Sequence, residues 1–259
     1  MDFIGKAYLD YFIKIDNLDG QTHSLNCFDV GGVSNLLKDW NFDSLFKEKV
    51  PLNFFIFCDP FFSDQVKKIV NNNKVKVIDL PNACPRALII EENNKRTSFV
   101  LDDEILEIKK FNSSSPSACI FYGDKINSNI FQKYEKLFID TAGNDLKHLM
   151  NLSLKTNFPS ETILSISNEY LNEELIENIV KNEKFFLLAH SPTETIIYDK
   201  KTKLKIKNKY FIKDLNKDKK ITGLGDKFIF LISIYNYHMN LSLEDSILKA
   251  QHKLYLHLV

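Results

Sequence analysis

The sequence predicts an α/β fold with a mostly parallel central sheet, and two observations support this prediction. Runs such as Asn53–Cys58, Lys136–Asp140 and Phe185–His190 are almost entirely apolar, and they alternate with segments that have the apolar spacing of helices. Strands that are apolar on both faces are typical of a parallel sheet covered by helices on both sides. The 259 residues contain no linker rich in Pro, Gly or Ser, so we expect a single domain over residues 1–259.

The first hundred residues depart from this alternation in two places. An apolar run at residues 3–9 ends at Asp10 and a second run follows at 11–15, which predicts a strand that leaves the sheet near Asp10. Residues 86–91 and 96–101 flank a polar turn, as in an antiparallel hairpin. A hairpin inside a strand–helix pattern predicts a small flap outside the main sheet.

The remaining elements follow from the same spacings, with polar or glycine-containing turns between them. Further strands are predicted at residues 23–30, 53–58, 75–80, 118–122, 136–140, 162–166, 185–190 and 195–198, and residues 202–212 alternate like the exposed partner of a hairpin. Helices are predicted at residues 33–40, 61–70, 145–152, 171–181, 227–235 and 243–256, the last with Ser242 as its N-cap.

Polar residues or glycines stand at the carboxyl ends of several predicted strands. They are Asp10, Asp59, Gly123, Asp140, Asn168 and His190. In an open α/β sheet, ligands bind at the carboxyl ends of the parallel strands. We therefore expect a binding site along this edge.

A Gly-x-Gly-Asp sequence, residues 223–226, precedes the most apolar predicted helix. Its two glycines allow the backbone to approach a ligand closely, and the free N–H groups and dipole of the helix favour an anion. Asp226 would place a carboxylate beside that anion, an arrangement that suits phosphoryl transfer because the carboxylate can accept the proton of an attacking hydroxyl group. The alternative is an ordinary turn with Asp226 as a capping residue.

A second glycine pair, Gly31-Gly32, is predicted to open the helix at residues 33–40. It is equally compatible with close approach of a ligand and with an ordinary strand-to-helix turn.

Composition and charge exclude several classes of function. Lys plus Arg equal Asp plus Glu at 34 each, so nothing indicates binding to nucleic acid. The cysteines, at positions 27, 58, 84 and 119, form no Cys-x-x-Cys pair and are expected to be buried free thiols in a reducing cytosol. No secretory signal is visible, and the longest apolar run is too short to cross a membrane. We expect a soluble cytoplasmic protein.

These motifs, in this order, resemble the ribokinase-like (PfkB-type) carbohydrate kinases over nearly the whole chain. The resemblance rests on residues 5–10, which end in Asp10, on 31–35, on the flap, on Asn168-Glu169, on 190–195, on Gly223-Leu224-Gly225-Asp226 and on 241–245. It implies a three-layer ribokinase-like α/β/α domain with a small β-strand lid built from about residues 11–28 and 85–101. Because the exposed lid strands would have unpaired edges, a homodimer formed through two lids is expected.

The same resemblance implies an ATP-dependent sugar kinase with Mg²⁺ as its metal ion. Asp226 would be the general base, and the amides of Gly223, Leu224 and Gly225 would form the anion hole. Asp10, Gly31, Gly32 and Asn35 would bind the sugar. Asn168, His190, Ser191 and Thr193 would contact ATP, with Glu169 near the metal.

The sequence departs from the family pattern around the donor site. Leu171 stands where the family has a glutamate, Pro192 and Thr195 replace glycines, and the residue after Asp226 is Lys227 instead of a small one. Two alternatives therefore stay open: a sugar-binding or regulatory protein of weakened activity, and a kinase for a nucleoside or vitamin alcohol.

Residue-level alternatives stay open as well. Asn168 could equally be a helix N-cap. His190 is expected to be a packed or capping residue instead of a catalyst, and Lys227 a solvated lysine instead of a phosphate contact.

Overall fold

The computed structural model describes residues 1–15, 22–32, 35–38, 51–70, 75–83, 86–92, 95–101, 104–108, 111–127, 129–141, 158–181, 185–199, 202–208 and 224–258. Its strands are β1 Asp2–Ile15, β2 Thr22–Gly32, β3 Asn53–Cys58, β4 Val75–Asp79, β5 Arg86–Glu92, β6 Lys95–Leu101, β7 Leu106–Glu107, β8 Ser117–Ile120, β9 Ile126–Asn127, β10 Lys136–Asp140, β11 Glu161–Ser167, β12 Phe185–His190, β13 Glu194–Tyr198 and β14 Lys203–Lys207. Its α-helices are α1 Asn35–Lys38, α2 Ser63–Val70, α3 Glu173–Lys181, α4 Leu224–Ser233 and α5 Leu243–Leu258.

The main sheet has the strand order β14-β13-β12-β11-β10-β8-β1-β3-β4. Every strand from β12 to β4 runs parallel to its neighbours, and β13 and β14 add an antiparallel edge. The parallel strands other than β4, which lies at the edge of the sheet, are buried along most of their length, as their apolar sequences predict. The predicted mostly parallel α/β fold is confirmed.

Helices cover both faces of this sheet. One core cluster joins α1, α2, α4 and α5 to one face, and the other joins α3 and a 3₁₀ helix at Asn129–Lys133 to the opposite face. On the first face Phe230 of α4 lies against Phe3 of β1, with ring centroids 4.6 Å apart. This aromatic packing holds α4 across the central strands and directs its first turn toward their carboxyl ends.

β1 is one continuous strand that belongs to two sheets, so the prediction of a strand that leaves the main sheet near Asp10 is confirmed. Its first residues, Asp2–Lys6, pair with β3, and the residues from Leu9 onward pair with β5. β2 is antiparallel to β1 and β6 is antiparallel to β5, so β2, β5 and β6 build a second, small sheet on the extension of β1. The predicted hairpin at residues 86–101 is confirmed. Its action as a lid over a substrate, and a dimer formed through it, stay predictions.

The glycine pair Gly31-Gly32 ends β2, where Gly31 pairs with Tyr8 and Gly32 with Ala7 of β1. The helix predicted after the pair is confirmed in its described part, since α1 covers Asn35–Lys38. Both glycines belong to the strand, whereas the prediction placed them in the turn after it. Residues 33–34 and 39–40 of the predicted helix lie outside the described residues, as does the whole predicted helix at 145–152.

Two smaller predictions are confirmed within the described residues. Ser242 is the N-cap of α5, since its Oγ accepts a hydrogen bond of 3.0 Å from the Asp245 amide. Cys58 and Cys119 are buried free thiols. No helix in the described ranges is long and apolar enough to cross a membrane.

Candidate active site

The first turn of α4 meets the carboxyl ends of the central strands. Leu224 and Gly225 are its first residues and Asp226 lies in its first turn, while Gly223 lies outside the described residues. The next seven residues of α4 are all buried, so hydrophobic packing fixes the helix axis. The amides of the first turn have no partner inside the helix, which gives this end the capacity to bind an anion.

A buried thiol on β8 locates Asp226 relative to the sheet. Burial is the main cause that raises the pKa of Cys119 well above its usual value, and the negative charges of Asp140 and Asp226 raise it further. Both carboxylates therefore lie within electrostatic reach of one sulfur atom. Asp140 is the last residue of β10 and is itself buried. The predicted base and the end of β10 thus share one corner of the site.

His190, the last residue of β12, packs against the same helix turn. A methyl group added to Gly225 would lie 3.7 Å from His190 Cε1, and the imidazole ring lies edge-on to Phe228 with centroids 6.2 Å apart. Although part of the side chain is accessible, desolvation lowers the pKa of His190 to about 4. His190 is therefore a packed, neutral histidine at neutral pH, as the sequence predicted, and its contact with ATP stays a prediction.

The turn between β12 and β13 carries two of the predicted donor ligands. The hydroxyl oxygens of Ser191 and Thr193 lie 3.2 Å apart, and the amide of Glu194 donates to Ser191 Oγ at 3.2 Å. Asn208, beyond β14, closes the turn from outside: its Nδ2 donates to Pro192 O and its backbone N–H to Thr193 O, both at 2.8 Å. No local sequence pattern predicts this role of Asn208, because the turn that it closes lies fifteen residues earlier in the chain.

Asn168 follows β11 and opens a short 3₁₀ turn, Asn168–Tyr170. Its Oδ1 atom is buried and has no hydrogen-bond partner in the described part of the chain. The N-cap alternative for Asn168 is wrong, since Asn172 caps α3 by accepting a 2.8 Å hydrogen bond from the Leu175 amide. Asn172 is followed directly by two glutamates, a helix-start pattern that could have identified it from the sequence.

The neighbours of Asn168 have roles in packing and local hydrogen bonding. Ser167 Oγ donates to Glu169 Oε1 at 3.3 Å. Burial first, and then the adjacent Glu169 carboxylate, raises the pKa of Tyr170. Leu171 packs against the core cluster that also contains residues of α3. This position, where the resemblance implies a glutamate, therefore makes an apolar core contact.

The donor set fits a magnesium ion that is held mainly by phosphates and water. Across the ranges that the structure describes, no three His, Cys, Asp or Glu side chains form a cluster that could hold a metal. Mg²⁺ takes oxygen ligands and commonly keeps several waters, so one or two protein oxygens beside the donor phosphates suffice. The unpartnered Oδ1 of Asn168 is the kind of atom such a site needs.

The predicted acceptor residues lie where β1 enters the second sheet. Asp10 pairs with Asp29 across the β1–β2 ladder, and Gly31 and Gly32 follow within three residues on β2. The side chains of Asp10 and Asn35 lie outside the described set, so their contact with a substrate stays a prediction.

Two charged residues near the carboxyl edge of the main sheet have other surroundings than the sequence predicted. Lys227 is 4% exposed, so the prediction of a solvated lysine is wrong: the apolar run that follows carries α4 from Lys227 onward into the core. Asp59 has a structural role, since its two carboxylate oxygens accept hydrogen bonds from the Phe61 and Asn82 amides at 3.0 and 2.9 Å.

The comparisons with known proteins give a consistent result for the fold. No protein-family model matches the sequence, and no curated protein matches it significantly. A solved pyrophosphate-dependent kinase in the ribokinase family, complexed with a pyrophosphate analog and myo-inositol, matches with a TM-score of 0.60 at 14% identity over 100% of this chain and 99% of that chain. The chain has the fold of the ribokinase-family kinases.

Two further ribokinase-fold structures support this assignment. Ribokinase from Arabidopsis thaliana, complexed with ribose and ATP, matches with a TM-score of 0.62 at 11% identity over 96% of this chain and 89% of that chain. Adenosine kinase from Schistosoma mansoni, in complex with 2-fluoroadenosine, matches with a TM-score of 0.65 at 8% identity over 99% and 94%. The resemblance inferred from the sequence is confirmed at the level of the fold.

Proposed function

We propose that this protein is a phosphotransferase that moves the γ-phosphoryl group of Mg·ATP to a hydroxyl group of a sugar or sugar derivative. The observation that carries the proposal is the meeting of the α4 N-terminus and Asp226 with the polar ends of β10, β11 and β12. A helix N-terminus stabilises the charge on a transferred phosphoryl group, and a carboxylate beside it can accept the hydroxyl proton.

Each part of the site has a role in this proposal. Asp226 is the general base, and the amides of Gly223, Leu224 and Gly225 form the anion hole. The hydroxyl groups of Ser191 and Thr193, with His190 packed beneath the turn, bind the donor. Mg²⁺ would neutralise the donor phosphates, and Asn168 and Glu169 would lie near it.

The acceptor would bind between this corner and the second sheet. Asp10, Gly31, Gly32 and Asn35 would hold its hydroxyl groups, and the strands β2, β5 and β6 would cover it to exclude water during transfer.

The decisive experiment is the Asp226→Asn variant, assayed with Mg·ATP and with pyrophosphate as donors against D-ribose, myo-inositol and adenosine. Solved structures of the same fold contain these compounds or related molecules. Loss of a general base costs about 10²–10⁴-fold in turnover, so we expect at least a hundredfold loss with acceptor binding nearly intact by calorimetry. Retained turnover in this variant would exclude Asp226 as the base.

The matched control is Asp64→Asn. Asp64 is also an aspartate in the first turn of a helix, but it is exposed on α2 and forms a salt bridge of 3.6 Å with the exposed Lys67. We expect its turnover to equal that of the unmodified protein. Acceptor binding without turnover from either donor would instead favour the sugar-binding or regulatory alternative.

A further inference from the structure

Tyr122 adopts a backbone conformation that bulky residues rarely occupy. It follows β8 directly and has φ 55° and ψ 42°, in the left-handed region. This region suits glycine and tolerates asparagine, whereas a side chain with a Cβ atom crowds the neighbouring carbonyl oxygen. A tyrosine here is therefore held under local strain.

The turn around Tyr122 is fixed by its neighbours. The Lys125 amide donates to Tyr122 O at 2.9 Å. At the next position a methyl group on Gly123 would overlap Cγ2 of Ile139 on β10, so this turn presses directly against the sheet. A glycine at position 122 would make the same turn without strain. Residues that keep such strain concentrate at ligand sites, where the side chain is needed in one position.

The ring of Tyr122 contacts β1 next to the strand that carries the predicted acceptor glycines. It packs on the Tyr8 ring with centroids 4.9 Å apart and an interplanar angle of 45°. Tyr8 is the residue of β1 that pairs with Gly31. Tyr122 also contacts the core cluster on the α4 side of the sheet, and Cys119, three residues earlier, is within electrostatic reach of Asp226.

The two tyrosines differ in how much of their side chains is exposed to solvent. Tyr8 is 5% exposed and belongs to the core, whereas Tyr122 is half-buried and keeps part of its surface accessible at the carboxyl edge. A tyrosine ring offers a flat apolar face with a polar hydroxyl at its tip. A sugar or cyclitol ring has the complementary form, with a C–H face and a rim of hydroxyl groups.

We propose that Tyr122 forms an aromatic wall of the acceptor site and that the C–H face of the acceptor's ring stacks on it. The proposal rests on the proposed function, because it assigns the acceptor side of the same site. Tyr122 would set acceptor specificity and would take no part in proton or phosphoryl transfer.

Three variants separate the ring from the backbone strain. Tyr122→Phe keeps the ring, Tyr122→Ala removes it and keeps a strained backbone, and Tyr122→Gly removes both. We expect the Ala and Gly variants to raise the KM of the acceptor by about 10-fold or more, since an apolar face is lost from the site, with kcat and the donor KM within about twofold. The Phe variant should stay within about threefold of the unmodified protein.

Melting temperature supplies the structural control. The Gly variant should melt about 2–4 °C above the Ala variant, because the left-handed backbone conformation is strained for alanine and unstrained for glycine. Equal KM increases in two variants of different stability would assign the effect to the ring. An acceptor KM that rises in the Ala variant alone, or in neither, would overturn the proposal.

Calorimetry with myo-inositol and D-ribose, without a donor, distinguishes this proposal from the proposed function. Weaker acceptor binding in the Ala and Gly variants would support the aromatic wall even if neither donor gave turnover. Absence of turnover would overturn the proposed kinase activity and leave the aromatic wall standing. Absence of binding to the unmodified protein would overturn both.

Discussion

Replacement of His190 by glutamine should remove a specific part of the pH dependence of stability. His190 packs against Gly225 and Phe228, and burial lowers its pKa from 6.5 to about 4. In the unfolded chain the imidazole is protonated below pH 6.5, while in the folded protein it stays neutral down to about pH 4. The unfolded state therefore binds one more proton in this range, and the free energy of unfolding falls as pH falls from 6.5 to 4.

The size of the effect follows from the two pKa values. Between pH 7.5 and 5.0 the unmodified protein should lose about 2 kcal/mol of its free energy of unfolding through this group, given a folded pKa of about 4 and an unfolded pKa of 6.5. The His190→Gln variant lacks the titrating group and should lose about 2 kcal/mol less over the same interval. Lost packing can lower its stability at every pH, but a constant offset does not change the slope.

Urea denaturation at half-unit steps between pH 7.5 and 5.0 measures the two slopes. His238 is exposed at the end of the π-helical turn that follows α4, so His238→Gln is the matched histidine control and should follow the unmodified protein. Parallel pH profiles for the unmodified protein and His190→Gln would refute the reasoning, because they would show that His190 titrates normally in the folded state.

Two glycines in the site should respond in opposite ways to alanine. In Gly123→Ala the new methyl group would overlap Ile139 Cγ2 in the core, and we expect a loss of about 1–3 kcal/mol in the free energy of unfolding by urea denaturation; an unchanged midpoint would contradict the close packing. In Gly225→Ala the methyl group makes only ordinary contact with His190, so stability should hold or rise by up to about 1 kcal/mol. Turnover should nevertheless fall at least tenfold in steady-state assays if the donor phosphates approach this backbone; full activity would exclude Gly225 from the anion hole.

The sequence determined the main sheet because its parallel strands are apolar on both faces. Such strands can be buried only between two helical layers, so β3, β10 and β12 were predicted with their observed bounds. The start of α4 near Asp226 was predicted from the glycines and the apolar run that follows, although the helix begins at Leu224 and includes Gly225 instead of starting after Asp226. Their direct involvement in phosphoryl transfer stays a proposal.

The tertiary structure decided which side chains meet, because those contacts join residues far apart in the chain. Only the folded chain shows that Lys227 is buried, that Asn208 closes the turn at Pro192 and that Gly31 continues a strand beside Tyr8. The left-handed backbone of Tyr122 was equally invisible in the sequence, since no local propensity predicts it. The turn that contains it lies against Ile139 of β10 at Gly123, a contact that exists only once the parallel strands are side by side.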